Sequence, residues 1–148
     1  MKVNIIAISD SDKHFDSAIQ EYLKRLGKDC SITTIKPEKN GTRDQIIHKE
    51  TTKILEKIQW LKDTYVILLA KEGKQISTEQ FTNLIKKHNT ITFIIGWPYG
   101  LDHTLLKQHL HDSVAFGAMT MPHGLAKLVI LEQVYRAKMI MEWREYHY

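Results

Sequence analysis

The chain has 148 residues, enough for one domain that buries its own core without disulfides or metal. Hydrophobic residues make up 43% and charged residues 26%, with seven glycines and three prolines. That composition excludes collagen-like, low-complexity and membrane-spanning chains. Twenty-one Lys and Arg against seventeen Asp and Glu give +4, a mild excess that permits a polyanionic partner without demanding one. The single cysteine, Cys30, excludes an internal disulfide framework and CxxC chemistry.

The first nine residues hold one Lys and an apolar run too short for a signal peptide, so a cytoplasmic protein starting at Met1 is expected. Residues 3–9 read as a buried strand. Phe15, Ile19, Tyr22, Leu23 and Leu26 have helical spacing, which predicts a helix over 15–26. Residues 31–36 are β-branched and alternating, a second strand, and 37–42 form a polar loop around Asn40-Gly41. Ile47, Ile54, Leu55 and Ile58 share one face of a helix over 43–60. Residues 65–69 are a third strand. Ser77 followed three residues later by Gln80 is a capping-box signal for a helix over 78–87. A strand over 92–95 runs into Gly96-Trp97-Pro98-Tyr99-Gly100. A helix over 103–111 is expected after the cap Asp102, then a strand over 114–118 and a last helix over 125–143.

Five apolar strands alternating with helices predict a single α/β domain over 1–148, with a mostly parallel sheet and helices on both faces. The last helix is apolar on every side at Leu128-Val129-Ile130-Leu131. One face can pack on the sheet, and the other then needs a cover. A homodimer contact, breakable by a charge at Leu131, is the simplest answer; a helix wholly buried within one chain is the alternative.

Ligands of open α/β sheets bind beyond the carboxyl ends of the strands. The loops to watch are therefore 69–74, 96–101 and 119–124, all of which contain glycine. Ordinary strand-to-helix turns have the same composition. Neither GxGxxG nor GxxxxGK[ST] is present, which disfavours a phosphate cradle. His109 and His111 are two residues apart and point to different helix faces, so they do not form a metal pair. His123 and His147 have side chains suited to proton transfer near neutral pH. Cys30 reads as a small core residue.

Three segments taken together have a specific counterpart. They are Phe93-Ile94-Ile95-Gly96-Trp97-Pro98-Tyr99-Gly100-Leu101, then Ala118-Met119-Thr120-Met121-Pro122-His123, then Leu131-Glu132-Gln133-Val134-Tyr135-Arg136-Ala137 with the terminal Tyr146-His147. With Glu21-Tyr22-Leu23-Lys24-Arg25-Leu26 near the start, the chain resembles the RlmH (YbeA-like) family of bacterial SPOUT methyltransferases along its whole length. The resemblance implies a C-terminal trefoil knot, a homodimer, and transfer of a methyl group from S-adenosylmethionine to N3 of a pseudouridine. The target would lie in 23S ribosomal RNA, in a stem-loop at the subunit interface of the assembled ribosome. No metal and no membrane is implied.

Carried over by motif, Leu69, Gly96, Phe116, Gly117, Ala118, Met119, Thr120 and Met121 are the expected cofactor contacts. His147, Tyr146 and Arg136 are the expected catalytic group, and His123, Arg136 and Arg144 the expected RNA contacts. An imide N3 attacks a sulfonium methyl well only after losing its proton, which gives a base or an anion-stabilising group a use. Two departures stand out. The family commonly has Gly-Gly-Pro-Glu-Gly where this chain has Trp97 and Tyr99, and its usual Pro-Tyr-His-basic tail is here Glu145-Tyr146-His147-Tyr148. The alternative functions are a non-catalytic ribosome-binding module on the same fold and a small-molecule α/β enzyme of another class.

Overall fold

In the computed structural model, which describes residues 1–10, 12–96 and 100–147, the elements alternate along the chain. They are β1 (Lys2–Ile8), α1 (Asp16–Leu26), β2 (Cys30–Ile35), α2 (Arg43–Trp60), β3 (Tyr65–Gln75), α3 (Thr78–Lys87), β4 (Thr90–Ile95), α4 (His103–Leu106), β5 (Asp112–Ala115) and α5 (His123–Met141). The strands form one sheet in the order β2-β1-β4-β3-β5, and every neighbouring pair is parallel.

Strand periodicity divides the core in two. Ile5 and Ala7 of β1, with Ile91, Phe93 and Ile95 of β4, face α1, α3 and α5. Ile6 and Ile8, with Ile94 of β4, face α2 and α4. Both faces of β1 and β4 are thus buried, which is why these strands read as unbroken apolar runs. The helix starts are fixed locally. Ser77 Oγ accepts the Gln80 N–H at 3.1 Å while Gln80 Oε1 accepts the Ser77 N–H at 2.8 Å. Thr42 and Gln45 form the same reciprocal cap at the head of α2. Asp102 Oδ1 accepts the Leu105 N–H at 3.2 Å and caps α4.

Several boundaries differ from expectation, most of all around β3 and α4. Residues 69–74 are not a free loop: β3 runs on to Gln75 and pairs again with β5 after an irregularity between Leu69 and Lys74. Gly73 permits this, because a Cβ there would lie 2.7 Å from the backbone of Val114. The predicted helix over 103–111 stops at Leu106, and β5 begins at Asp112. His111 is taken by the sheet edge, where its N–H donates to the Val66 carbonyl at 2.9 Å and its Nδ1 accepts the Val66 N–H at 2.9 Å. The last helix begins two residues early, at His123, and ends at Met141. Leu131 is wholly buried in the chain's own core, so a charge there would break the fold rather than a dimer contact. The apolar residues of α5 that stay partly open are Leu125, Leu128, Val129, Tyr135, Ile140 and Met141. The changes Trp97 and Tyr99, and the terminal Tyr148, lie outside the described residues.

Gly73→Ala should destabilise the protein by about 1–3 kcal/mol, since the methyl meets backbone that has no rotamer to yield. Denaturant titration reads this as a lower midpoint at unchanged slope; an unshifted midpoint would show that β3 does not need the close approach.

Candidate active site

A cleft of about 880 Å³ opens beyond the carboxyl ends of β4 and β5 and alongside β3. Leu68, Leu69 and Ala70 of β3 supply one wall, Ile95 and Gly96 the floor, and Val114 to Gly117 the opposite wall. Met119, Thr120, Met121 and Pro122 close the cleft, and His123 and Ala126 at the head of α5 complete it. Gly96 sits against Leu101, where a Cβ would meet Leu101 Cγ at 3.1 Å. Gly117 has φ +149°, a conformation that glycine adopts without strain. The volume and the mostly apolar lining with a few polar groups are those of a small-molecule site.

Seven of the eight expected cofactor residues line this one cleft: Leu69, Gly96, Phe116, Gly117, Met119, Thr120 and Met121. Ala118 is exposed and is not among its lining residues. Sequence reasoning missed four charged or titratable lining groups: Arg43 at the head of α2, Lys71 and Glu72 of β3, and His103 of α4. Arg43 and His103 come from helices on the far side of the sheet, and no local pattern announces that placement.

His123 stands at the cleft in a buried polar cluster. Its Nε2 lies 3.3 Å from Asp12 Oδ1. Asp12 also takes an ion pair from Lys127, one turn further along α5, and Lys127 Nζ donates to Ser9 Oγ at 3.1 Å. Lys127 is 3% exposed and Ser9 1%. Burial lowers the His123 pKa below its ordinary value; Asp12 pulls it back up and Lys127 pushes it down.

The expected catalytic group forms a second cluster, at the other end of α5. Arg136 is held by Glu132 of the preceding turn, with Nε to Oε1 at 3.0 Å. Its guanidinium lies over the Tyr146 ring, 4.9 Å from the centroid. Tyr146 packs edge-on against Tyr135 at 4.8 Å, and its hydroxyl meets that of Tyr22 at 3.1 Å. Burial raises the Tyr146 phenol well above its usual range. His147 bridges Arg136 and Glu79: Nδ1 lies 3.3 Å from Arg136 Nη1, and Nε2 lies 3.3 Å from Glu79 Oε1. This pattern is that of a neutral ring accepting from Arg136 and donating to Glu79. Arg144 pairs with Glu142 at 3.1 Å on the surface, apart from this group.

The two clusters do not meet within one chain. Arg136 follows His123 by thirteen residues of unbroken helix, a rise of roughly 20 Å. The structure therefore assembles the tail residues with one another and the loop residues with one another, but not the two sets together.

Comparison with known proteins gives a consistent answer. The family described as "Predicted SPOUT methyltransferase" matches residues 1–147. A protein of Streptococcus uberis named Ribosomal RNA large subunit methyltransferase H is 40% identical, over 99% of each chain. The protein of that name from Streptococcus pyogenes serotype M12 is 38% identical, again over 99% of each. Among solved structures, a putative RNA methyltransferase from Bacillus anthracis superposes with a TM-score of 0.61 at 12% identity, covering 92% of this chain and 94% of its own. The SpoU methyltransferase AviRb from Streptomyces viridochromogenes, solved with the cofactor AdoMet, gives 0.51 at 11%, covering 93% of this chain and 57% of its own. These two likenesses concern the fold, whereas the match over residues 1–147 and the end-to-end relatives concern descent: this chain belongs to the SPOUT methyltransferase family.

Proposed function

We propose that this protein is an S-adenosylmethionine-dependent methyltransferase that modifies N3 of a pseudouridine in 23S ribosomal RNA on assembled bacterial ribosomes, working in the cytoplasm as a homodimer. The observation that carries this reading is the convergence of seven expected cofactor residues on one cleft, in a chain that matches large-subunit ribosomal RNA methyltransferases end to end. A second feature supports the knot: after edge strand β5 the chain turns back, and α5 packs across β4 and β1 at the centre of the sheet.

The cleft fits S-adenosylmethionine. Phe116, Leu69 and Leu101 offer apolar surface for an adenine ring, and Gly96 and Gly117 let backbone approach it closely. Arg43 and Lys71 are the cations on the same walls that suit the amino-acid carboxylate. When bound, the cofactor supplies a sulfonium methyl that is already electrophilic, so the reaction needs no metal for activation.

The protein must then place N3 in line with that methyl and help remove its proton. His147 is the residue we assign to the proton, with Tyr146 holding the tail and Arg136 steering the RNA phosphate or base. Its contacts to Arg136 and Glu79 are exposed and 3.3 Å long, so RNA can replace them at small cost. Arg144 adds a surface cation for the RNA, and His123 contacts it from the cleft rim. The separation of roughly 20 Å along α5 favours a composite site, in which the tail of one subunit serves the cleft of its partner. The half-open apolar strip of α5 is the surface suited to that contact.

Labelled methyl from S-adenosylmethionine should appear on the large-subunit RNA when the protein meets intact ribosomes lacking the modification. Absence of label with folded protein would sink the methyltransferase reading and leave the ribosome-binding module and the small-molecule α/β enzyme as the alternatives. His147→Ala should lower kcat by roughly a hundredfold or more while the cofactor Kd stays within about twofold. Unchanged turnover in that variant would remove His147 from the chemistry.

A further inference from the structure

We propose that Thr51, buried in α2 on the face of the sheet away from α5, is a positioning residue for the cleft. Its hydroxyl holds the backbone at Asp102 and thereby sets Leu101 against Gly96 in the cleft wall. The inference rests on the reading of this cleft as the S-adenosylmethionine site, and it adds a residue outside the lining that shapes it.

A threonine inside a helix commonly returns its hydroxyl proton to the carbonyl one turn back. Thr51 does so, donating to the Ile47 carbonyl at 2.7 Å. Thr82 of α3 makes the same bond, to the Thr78 carbonyl at 2.8 Å. Thr51 differs in using its oxygen a second time: it accepts the Asp102 N–H at 2.9 Å, across 51 residues of chain. Thr51 is 0% exposed, so bulk water does not compete for that bond.

Asp102 carries the restraint in both directions along the chain. Its carboxylate accepts the Leu105 N–H at 3.2 Å and its carbonyl the Leu106 N–H at 3.0 Å. The head of α4, with His103 in the cleft wall, is therefore held with it. On the other side stands Leu101, packed so closely on Gly96 that a Cβ there would lie 3.1 Å from Leu101 Cγ. Gly100, at φ +80°, precedes Leu101 and adds little stiffness of its own. Leu101 shares a core with Ile54 and Ile58 of α2. Apolar packing is non-directional, whereas a hydrogen bond fixes distance and angle. Thr51 thus supplies the register of this wall. A wall held in one place needs no ordering when a ligand enters. A wall that wanders weakens the apparent affinity by the fraction of time it is misplaced.

Three substitutions test this. Thr51→Val keeps the shape and removes the hydroxyl. Thr51→Ser keeps the hydroxyl. Thr82→Val removes a helix bond of the same kind in α3, outside the cleft lining. S-adenosylmethionine affinity is read by calorimetry well below each variant's unfolding midpoint, so lost global stability alone does not weaken binding. Thr51→Val should raise Kd about fivefold or more, while Thr51→Ser and Thr82→Val stay within about twofold of wild type. Amide hydrogen exchange gives a readout that needs no ligand. The Asp102 N–H should exchange about tenfold faster or more in Thr51→Val than in the wild type or Thr51→Ser. If Thr51→Val does not fold, Thr51→Ala removes the same hydroxyl and takes its place. A Kd within about twofold of wild type in a folded variant lacking the hydroxyl would overturn the proposal. So would an Asp102 amide equally protected with and without the hydroxyl, or an equal loss of affinity in Thr82→Val. If the wild type binds no S-adenosylmethionine while the Asp102 amide responds as described, the cofactor reading fails and Thr51 stands as the brace of the wall.

Discussion

Helix α5 is the constraint on which the rest of the structure depends. It is pinned along its length between α1 and α3 and packs on β1 and β4. Its first turn supplies His123 and Ala126 to the cleft, and its later turns supply Arg136 to the tail cluster. A continuous helix of nineteen residues keeps those ends at a fixed separation. The core that fixes it, with Ile130, Leu131, Val134 and Ala137 all at 0% exposure, leaves no slack for either end to move toward the other.

That rigidity gives the fold two surfaces with different physical characters. The cleft is largely apolar with glycines in its walls, and behind its His123 the buried Lys127 is paired with Asp12. The tail cluster is half-exposed and aromatic, and its polar groups are held by contacts that solvent can replace. A small cationic cofactor suits the first, and a large polyanion with flat bases suits the second. The modest net charge of +4 fits an enzyme that reads the shape of its target more than a general field.

Much of this was legible in the residues, and the failures share a cause. Strands β1 and β4 were visible because burial on both faces leaves an unbroken apolar run. The cap of α3 was visible because Ser77 and Gln80 act over three residues. What escaped depends on partners distant in sequence. The extension of β3 needs β5 beside it and a glycine at 73 to admit it. The short α4 ends because His111 bonds to Val66 across forty-five residues. Lys127 and Asp12 are 115 residues apart, and neither carries a local mark of its pairing. In an all-round apolar helix, periodicity could not say whether Leu131 faced inward, and only the packing against α1 and α3 separates it from Leu128.

The central claim is that cleft and tail complete one another across a dimer, and subunit mixing tests it most directly. Thr120→Trp fills the cleft from an exposed position, and His147→Ala disables the tail. Each variant alone should be inactive on ribosomes. Co-expressed, the two should recover roughly a quarter of wild-type methyl transfer, since about half the dimers are mixed and each of those keeps one intact site. A mixture as inactive as its components, with mixed dimers shown to form, would contradict the account, since cleft and tail would then have to come from the same chain.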